Sequence, residues 1–219
     1  APMVSSMDHK RALDGDKGLN TGGMGTIAPN PYYTPEVARV CMDTIFLPTI
    51  RAMAAEGRPF RGCLYFGLML TGDGPKVIEY NCRFGDPETQ VVLPLLESDL
   101  LDVMEAVEDG ALERCPVRFS HKAACCVVLA SAGYPGRYET GFPITVDDGF
   151  SAQLYCAGVK RDGAGAPVTA GGRVLGVAAV GDTLRRAVEE AYAQAACVHF
   201  ENAYYRKDIG RRALAAEER

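Results

Sequence analysis

No stretch of this 219-residue chain approaches the roughly 20 consecutive apolar residues that a helix needs to cross a bilayer. The start, Ala1-Pro2-Met3-Val4, also lacks the basic segment and apolar run of a secretory address. A soluble chain with no membrane partner is therefore expected. A basic excess is missing too: 23 Lys and Arg stand against 28 Asp and Glu, a net charge of -5. That balance excludes a phosphate-tracking surface and a nucleic-acid partner, so any phosphate site must be local. Zinc-type spacing is absent, with three isolated histidines and no CxxC pair. The eight cysteines, at 41, 63, 82, 115, 125, 126, 156 and 197, are scattered through apolar segments. They read as buried free thiols in a reducing compartment, and a cytoplasmic location is expected. Neither an internal repeat nor a low-complexity tract is present. What remains is a globular composition long enough for one large domain or two of ordinary size.

The densest chemistry lies at 77–89, where the apolar Val77-Ile78 runs into Glu79, Asn81, Arg83, Asp86 and Glu88. Residues two apart on a strand face one side, so Glu79, Asn81 and Arg83 are expected in one row with Ile78, Tyr80 and Cys82 packed behind. A carboxylate and an amide oxygen at that spacing suit Mg²⁺ or Mn²⁺ better than zinc, particularly where a nucleotide completes the coordination shell. Arg83 offers a permanently charged fork for a phosphoryl or carboxylate oxygen. Asp86 and Glu88 can orient an amine nucleophile or accept its proton. The pattern is short, and by itself it fits exposed strand-end polar groups almost as well.

Upstream, residues 8–25 read as a loop by their glycine, Asn and Asp content. Gly22, Gly23 and Gly25 let backbone N–H groups approach an anion, with Lys10, Arg11 and Lys17 supplying positive charge. An ordinary surface loop is an equally simple reading of that stretch. Thr34-Pro35-Glu36 opens a helix to about residue 57, which Pro48 should kink or split. The run 63–70 predicts a strand buried on both faces, returning through the turn 71–75 as the strand 76–81, an antiparallel hairpin. Helical spacing follows in two pieces from Val91 to Val107, ending at Gly110 and packing across the sheet. After a linker at 116–120, strands are expected at 123–131, 153–159 and 174–180, and a helix at 183–197 opened by Asp182. The segments 133–136, 147–149 and 162–165 are turns, and Arg206-Lys207-Asp208-Ile209-Gly210 reads as a solvated helix entry.

The segment 77–90, with Asp8-His9-Lys10-Arg11 and 14–25, closely resembles the glycinamide ribonucleotide synthetase (phosphoribosylamine–glycine ligase) family of the ATP-grasp superfamily. Gly133-Tyr134-Pro135-Gly136, Gly171-Gly172-Arg173 and Arg206 to Gly210 resemble that family's C-terminal domain. The resemblance implies an α+β fold: the C-terminal lobe of an ATP-grasp domain over 1–115, an antiparallel sheet with flanking helices, then a small α+β domain over 116–219. It implies ATP-dependent joining of glycine to 5-phosphoribosylamine through an acyl phosphate, in purine biosynthesis, with Mg²⁺ or Mn²⁺ on Glu79 and Asn81. Arg83, Asp86 and Glu88 become the implied catalytic residues. Lys10, Arg11, Asp14, Lys17, Asn20, Thr21, Gly22, Gly23 and Gly25 become the implied nucleotide- and substrate-binding set.

Three departures accompany the resemblance. The chain begins inside the grasp domain, so the N-terminal half of the enzyme is an expected partner and the chain alone is expected to be incomplete. No acid lies on the strand 64–70, with only Asp73 in the following turn, and Leu19 stands where the family usually has proline. Another purine-pathway ATP-grasp ligase, or a non-catalytic interaction module, are the alternative readings.

Overall fold

A computed structural model describes residues 1–217. The chain forms two compact units that interleave along the sequence: one comprises Ala1–Pro2, Pro31–Gly85 and Leu96–Phe119, the other Met3–Asn30, Asp86–Leu95 and Ser120–Arg219. The contacts therefore do not divide at 115/116. The first 30 residues, apart from the terminal pair, fold with the C-terminal half because their strands pair with it.

The larger unit is built on an antiparallel sheet ordered Met7–Asp8, Gly25–Ala28, Ala123–Ser131, Arg173–Gly181, Gln153–Cys156, with Ala203–Tyr204 pairing the end of Ala123–Ser131. Ala123–Ser131 is buried along its whole length, as its small and β-branched residues predict for a central strand. Cys125, Val127 and Leu129 face a core shared with Ile27, Val177, Ala187 and Ala191, closed by the helix Leu184–Ala195. The Thr183 hydroxyl caps that helix by accepting from Arg186 N, so the cap is Thr183 and not Asp182. The short helix Thr89–Val92 also packs on the two central strands. The expected strand 153–159 breaks after Cys156, and Val159–Arg161 leaves to pair with Pro167–Thr169. Gly158 and Gly171 permit the break, since a Cβ at 158 would lie 2.6 Å from Gly171 Cα.

The expected loop at 8–25 is largely strand: Arg11–Leu13 pairs with Lys17–Asn20, and Gly25–Ala28 enters the main sheet. Turn-forming residues there mark the hairpin tip, where Gly15, Asp16 and Gly18 all have positive φ.

In the smaller unit, Thr34 caps Pro35–Cys41, which passes through a π-helical turn, Met42–Phe46, into Leu47–Ala55. Pro48 lies in the first turn of the last piece, so the wider turn before it absorbs the misfit that was expected as a kink. Tyr65–Thr71 and Gly74–Asn81 form the expected antiparallel hairpin, with an irregularity between Gly67 and Leu68. Phe66 packs on Phe46 at a ring separation of 4.4 Å and on Tyr80 at 5.3 Å. Burial on both faces is not found. Met69 is 53% exposed, Ile78 61% and Tyr80 50%, in a sheet of two strands among the described residues. Asp99 caps Leu100–Glu108, and Gly110 follows with φ +66. The two helical pieces expected to pack together across one sheet instead belong to different units, the chain passing from one to the other at Leu95–Leu96. No helix is long and apolar enough to cross a membrane among the described residues.

Candidate active site

Glu79 and Asn81 stand on the strand Gly74–Asn81, opposite Gly67 and Tyr65 respectively. Gly67 is required there: a Cβ would lie 2.7 Å from Glu79 Cγ, so the bare glycine gives the Glu79 side chain its place across the hairpin. The strand ends at Asn81, and Arg83 lies beyond it, exposed, with Nη1 donating to Phe84 O at 2.8 Å. The expected row is thus the pair Glu79–Asn81, and Cys82 is exposed rather than packed behind it. An anionic and a neutral oxygen on one strand face fit a hard divalent ion that keeps waters or phosphate oxygens for its remaining positions. They do not make a closed protein cage, and among the described residues no group of three His, Cys, Asp or Glu is placed to hold a metal. Gly67→Ala should push Glu79 aside; titration of the complete protein with Mn²⁺ should then show weaker binding, by about tenfold, while the hairpin still forms.

In the larger unit, Asp86, Glu88 and the glycine-rich segment come together. Gly23 packs so closely that a Cβ would meet Pro87 Cδ at 2.5 Å and Asp8 Oδ1 at 2.7 Å, and its φ of +117 also demands glycine. Thr21 braces the same turn: its N–H and hydroxyl donate to Lys10 O at 2.8 and 2.9 Å, and its oxygen accepts from Gly23 N at 2.9 Å. Gly25 lies against Cys126 O, where a side chain has no room. Asp86 pairs with Arg173 at 2.9 Å and accepts from Gln90 Nε2 at 3.0 Å. Glu88 is buried, and its charge acts on Asp8.

Asp8 was legible in the sequence only as part of the Asp8-His9-Lys10-Arg11 motif, without a role of its own. Its carboxyl is 6% exposed and lies 2.8 Å from Lys10 Nζ. Burial pushes its pKa up to about 7, against the pull of Lys10 and with a further push from Glu88. Its neighbour His9 is buried and satisfied on both nitrogens: Nδ1 lies 3.1 Å from Gly25 O, and Nε2 accepts from Gly210 N at 3.2 Å. Burial, then the nearby Arg206 charge, lowers its pKa to about 4, so it is a neutral structural link at pH 7.

These two shifts act in opposite senses. Asp8 holds its proton in the folded state up to about pH 7 but unfolded only to 3.8, so its contribution to stability falls as pH rises from about 4 to 7. His9 protonates at 6.5 when unfolded and near 4 when folded, so its contribution is lost as pH falls from 6.5 to 4. Asp8→Asn leaves the His9 term without its offset. Urea midpoints measured at pH 7 and pH 4 should therefore drop more steeply on acidification in the variant than in the parent.

The remaining loop residues hold the hairpin. Asp14 Oδ1 accepts from Lys207 N at 2.8 Å, and Arg11 Nη1 donates to Gly18 O at 2.9 Å. Lys17 and Asn20 are exposed on the strand Lys17–Asn20. Arg206, expected at a solvated helix entry, is instead 1% exposed. It donates to Asp208 Oδ1 and Oδ2, to Asp16 Oδ1 and to Arg11 O, all within 2.8–3.0 Å. A charge cluster beside a terminal helix carries no sign of burial in sequence; the acceptors at Arg11 and Asp16, almost 200 residues upstream, reveal it.

The antiparallel sheet, flanking helices and exposed acid–amide hairpin define the C-terminal lobe of an ATP-grasp domain joined to a small α+β domain. Two family models match: the phosphoribosylglycinamide synthetase ATP-grasp (A) domain over residues 1–89 and the C domain of the same enzyme over 124–212. The chain belongs to the phosphoribosylglycinamide synthetase family and matches the C-terminal portion of that enzyme. It is 49% identical over 216 residues to a phosphoribosylamine–glycine ligase of Chlorobaculum tepidum, covering 97% of this chain and 51% of that protein. The solved phosphoribosylamine–glycine ligase of Thermotoga maritima superposes with a TM-score of 0.85 at 38% identity, over 94% of this chain and 51% of that one. A human trifunctional purine biosynthetic protein, adenosine-3, is 47% identical over 98% of this chain and 22% of its own length. The chain thus spans about half the length of the single-function relatives it matches.

Proposed function

We propose that the complete protein joins glycine to 5-phosphoribosylamine, with ATP cleaved to ADP and phosphate, as a step of purine biosynthesis. The observation that carries this reading is the likeness to the solved Thermotoga ligase along 94% of the chain. In the first half-reaction, a glycine carboxylate oxygen takes the γ-phosphoryl group of ATP, giving glycyl phosphate and ADP. In the second, the ribosylamine nitrogen attacks the glycyl carbonyl, phosphate leaves with the C–O electron pair, and the nitrogen gives up a proton. Glu79 and Asn81 would hold Mg²⁺ or Mn²⁺, which when bound offsets charge on the phosphoryl oxygens. Arg83 would steady those oxygens or the glycine carboxylate. Asp86 and Glu88 would orient the amine and take its proton. The segment from Lys10 through Gly25 would line the glycine and ribose-phosphate side, its backbone N–H groups facing the anion. Eight free cysteines among the described residues suit a reducing, cytoplasmic setting.

The complete polypeptide, including the segment that precedes the matched region in its relatives, should release ADP steadily when glycine and phosphoribosylamine are supplied together, and not when glycine is left out. ADP release with a different acid and amine pair, and none with this one, would assign the protein to another ligase.

A further inference from the structure

The motif at 133–136 reads in sequence as a turn and that at 171–173 only as part of the family resemblance, and the reaction above leaves both without a task. The structure gives them one. Gly22 is held through both of its peptide groups by the C-terminal module: its N–H donates to the Tyr134 hydroxyl at 3.0 Å, and its carbonyl accepts from Arg173 Nη1 at 3.0 Å. The same guanidinium reaches Asp86 three times, from Nη1 to the backbone oxygen at 3.2 Å and to Oδ1 at 3.5 Å, and from Nη2 to Oδ2 at 2.9 Å. The two segments that carry the anion-facing glycines and the acid at 86 are therefore tied to one planar fork.

The surrounding glycines serve that geometry. A Cβ at Gly22 would fall 2.9 Å from Arg173 Cζ, so only glycine lets the guanidinium lie against its backbone. A Cβ at Gly172 would collide with the Tyr134 ring, so Gly172 makes the seat on which the tyrosine rests. Ser131 N donates to Gly172 O at 2.8 Å, and Ser131 Oγ donates to Gly171 O at 3.0 Å, fixing the segment to the central strand. The Arg173 side chain is 21% exposed and that of Asp86 51%, so the pair is shielded from water on the arginine side only.

We propose that Arg173 and Tyr134 are positioning residues for the amine-transfer half of the reaction, setting where Gly22 and Asp86 stand. This rests on the function proposed above, and it gives the C-terminal module a part in the active centre. The clamp acts on the carboxylate assigned to the amine and on one turn, at Gly22, of the loop that lines the glycine and ribose-phosphate side, and its action is assigned to the ribose-phosphate part of that loop. Formation of glycyl phosphate is expected to depend on it little. Arginine is needed because a lysine ammonium, a single point, cannot serve three oxygens of Asp86 and one of Gly22 together.

The two half-reactions separate experimentally in the complete protein. Hydroxylamine, a small amine unprotonated at neutral pH, traps glycyl phosphate as the hydroxamate without needing a seat at Gly22 or Asp86. Tyr134→Phe removes only one acceptor, and it should lower kcat/KM for phosphoribosylamine by about 3- to 10-fold. Arg173→Gln should lower it by about 100-fold, Arg173→Lys should restore little, and Arg173→Gln with Asp86→Asn should be no worse than the more damaging single change. Hydroxamate formation and the KM for ATP should stay within about twofold of the parent in Tyr134→Phe and in Arg173→Gln. Unchanged ligation in Tyr134→Phe and Arg173→Gln would overturn the clamp, as would a parallel fall in hydroxamate formation. Should Arg173→Gln fail to fold, Tyr134→Phe decides alone. Absence of hydroxamate from the parent protein would overturn instead the reaction on which the clamp rests.

Discussion

Replacing Arg206 by alanine is expected to destabilise the larger unit by about 3–5 kcal/mol, the cost of removing one partner from a buried charge cluster. The guanidinium is 1% exposed and is the hub of the turn that ties the Arg11–Leu13 hairpin to the C-terminal segment. Its loss leaves Asp208, itself mostly buried, with the Gly15 N–H but no cation, and takes from the Arg11 carbonyl its guanidinium donor. Burial would raise the Asp208 pKa, but the Arg206 fork, aided by the Gly15 N–H, holds it down at about 2. For such a depressed carboxylate the stabilisation is present above the ordinary pKa of 3.8 and lost as pH falls toward 2. Arg206→Lys should recover only a minor part, because one ammonium cannot meet the bidentate Asp208, Asp16 and Arg11 O at once. Urea unfolding of the three proteins at pH 7 tests this: equal midpoints for parent and Arg206→Ala would show that the cluster contributes nothing net.

The second large effect is on activity. Glu79→Ala with Asn81→Ala in the complete protein should lower ADP formation by at least about a thousandfold, the scale of losing an ion that stabilises several kcal/mol of transition-state charge. Both side chains lie on the exposed hairpin of the smaller unit, so the folded state should change little. A binding measurement with Mn²⁺ in the presence of nucleotide gives a second readout, where the double variant should bind weakly. Turnover at the parent rate would remove the metal assignment and leave the ligase reading to stand on other residues.

The chemistry of the strand at 74–81 was readable because its cues are local. Alternation around Glu79 and Asn81, the turn at 71–75 and the Pro35 and Pro48 signals needed only neighbouring residues, and the hairpin and helices followed them. The row stopped short of Arg83 because the chain leaves the strand at Asn81, as the expected strand 76–81 already implied. Apolar residues at 69, 78 and 80 suggested burial, yet composition states only that a surface prefers cover and does not say what covers it.

By itself, then, the amino-acid sequence determined the helices, the hairpin at 65–81, the acid–amide pair and the long motifs that place the chain in its family, but not the strands within 8–25. Tertiary structure alone decided what depends on pairing over long separations. It buried Arg206 against Asp16, turned Asp8 into a carboxyl that titrates near neutrality, made His9 a neutral link to Gly210, and brought Tyr134 and Arg173 onto Gly22 and Asp86. The physical reason is common to all four. Burial, a shifted proton affinity and a shared hydrogen bond are properties of a local environment, and here each environment is assembled from segments more than 60 residues apart or hidden by a strand whose partner lies elsewhere in the chain.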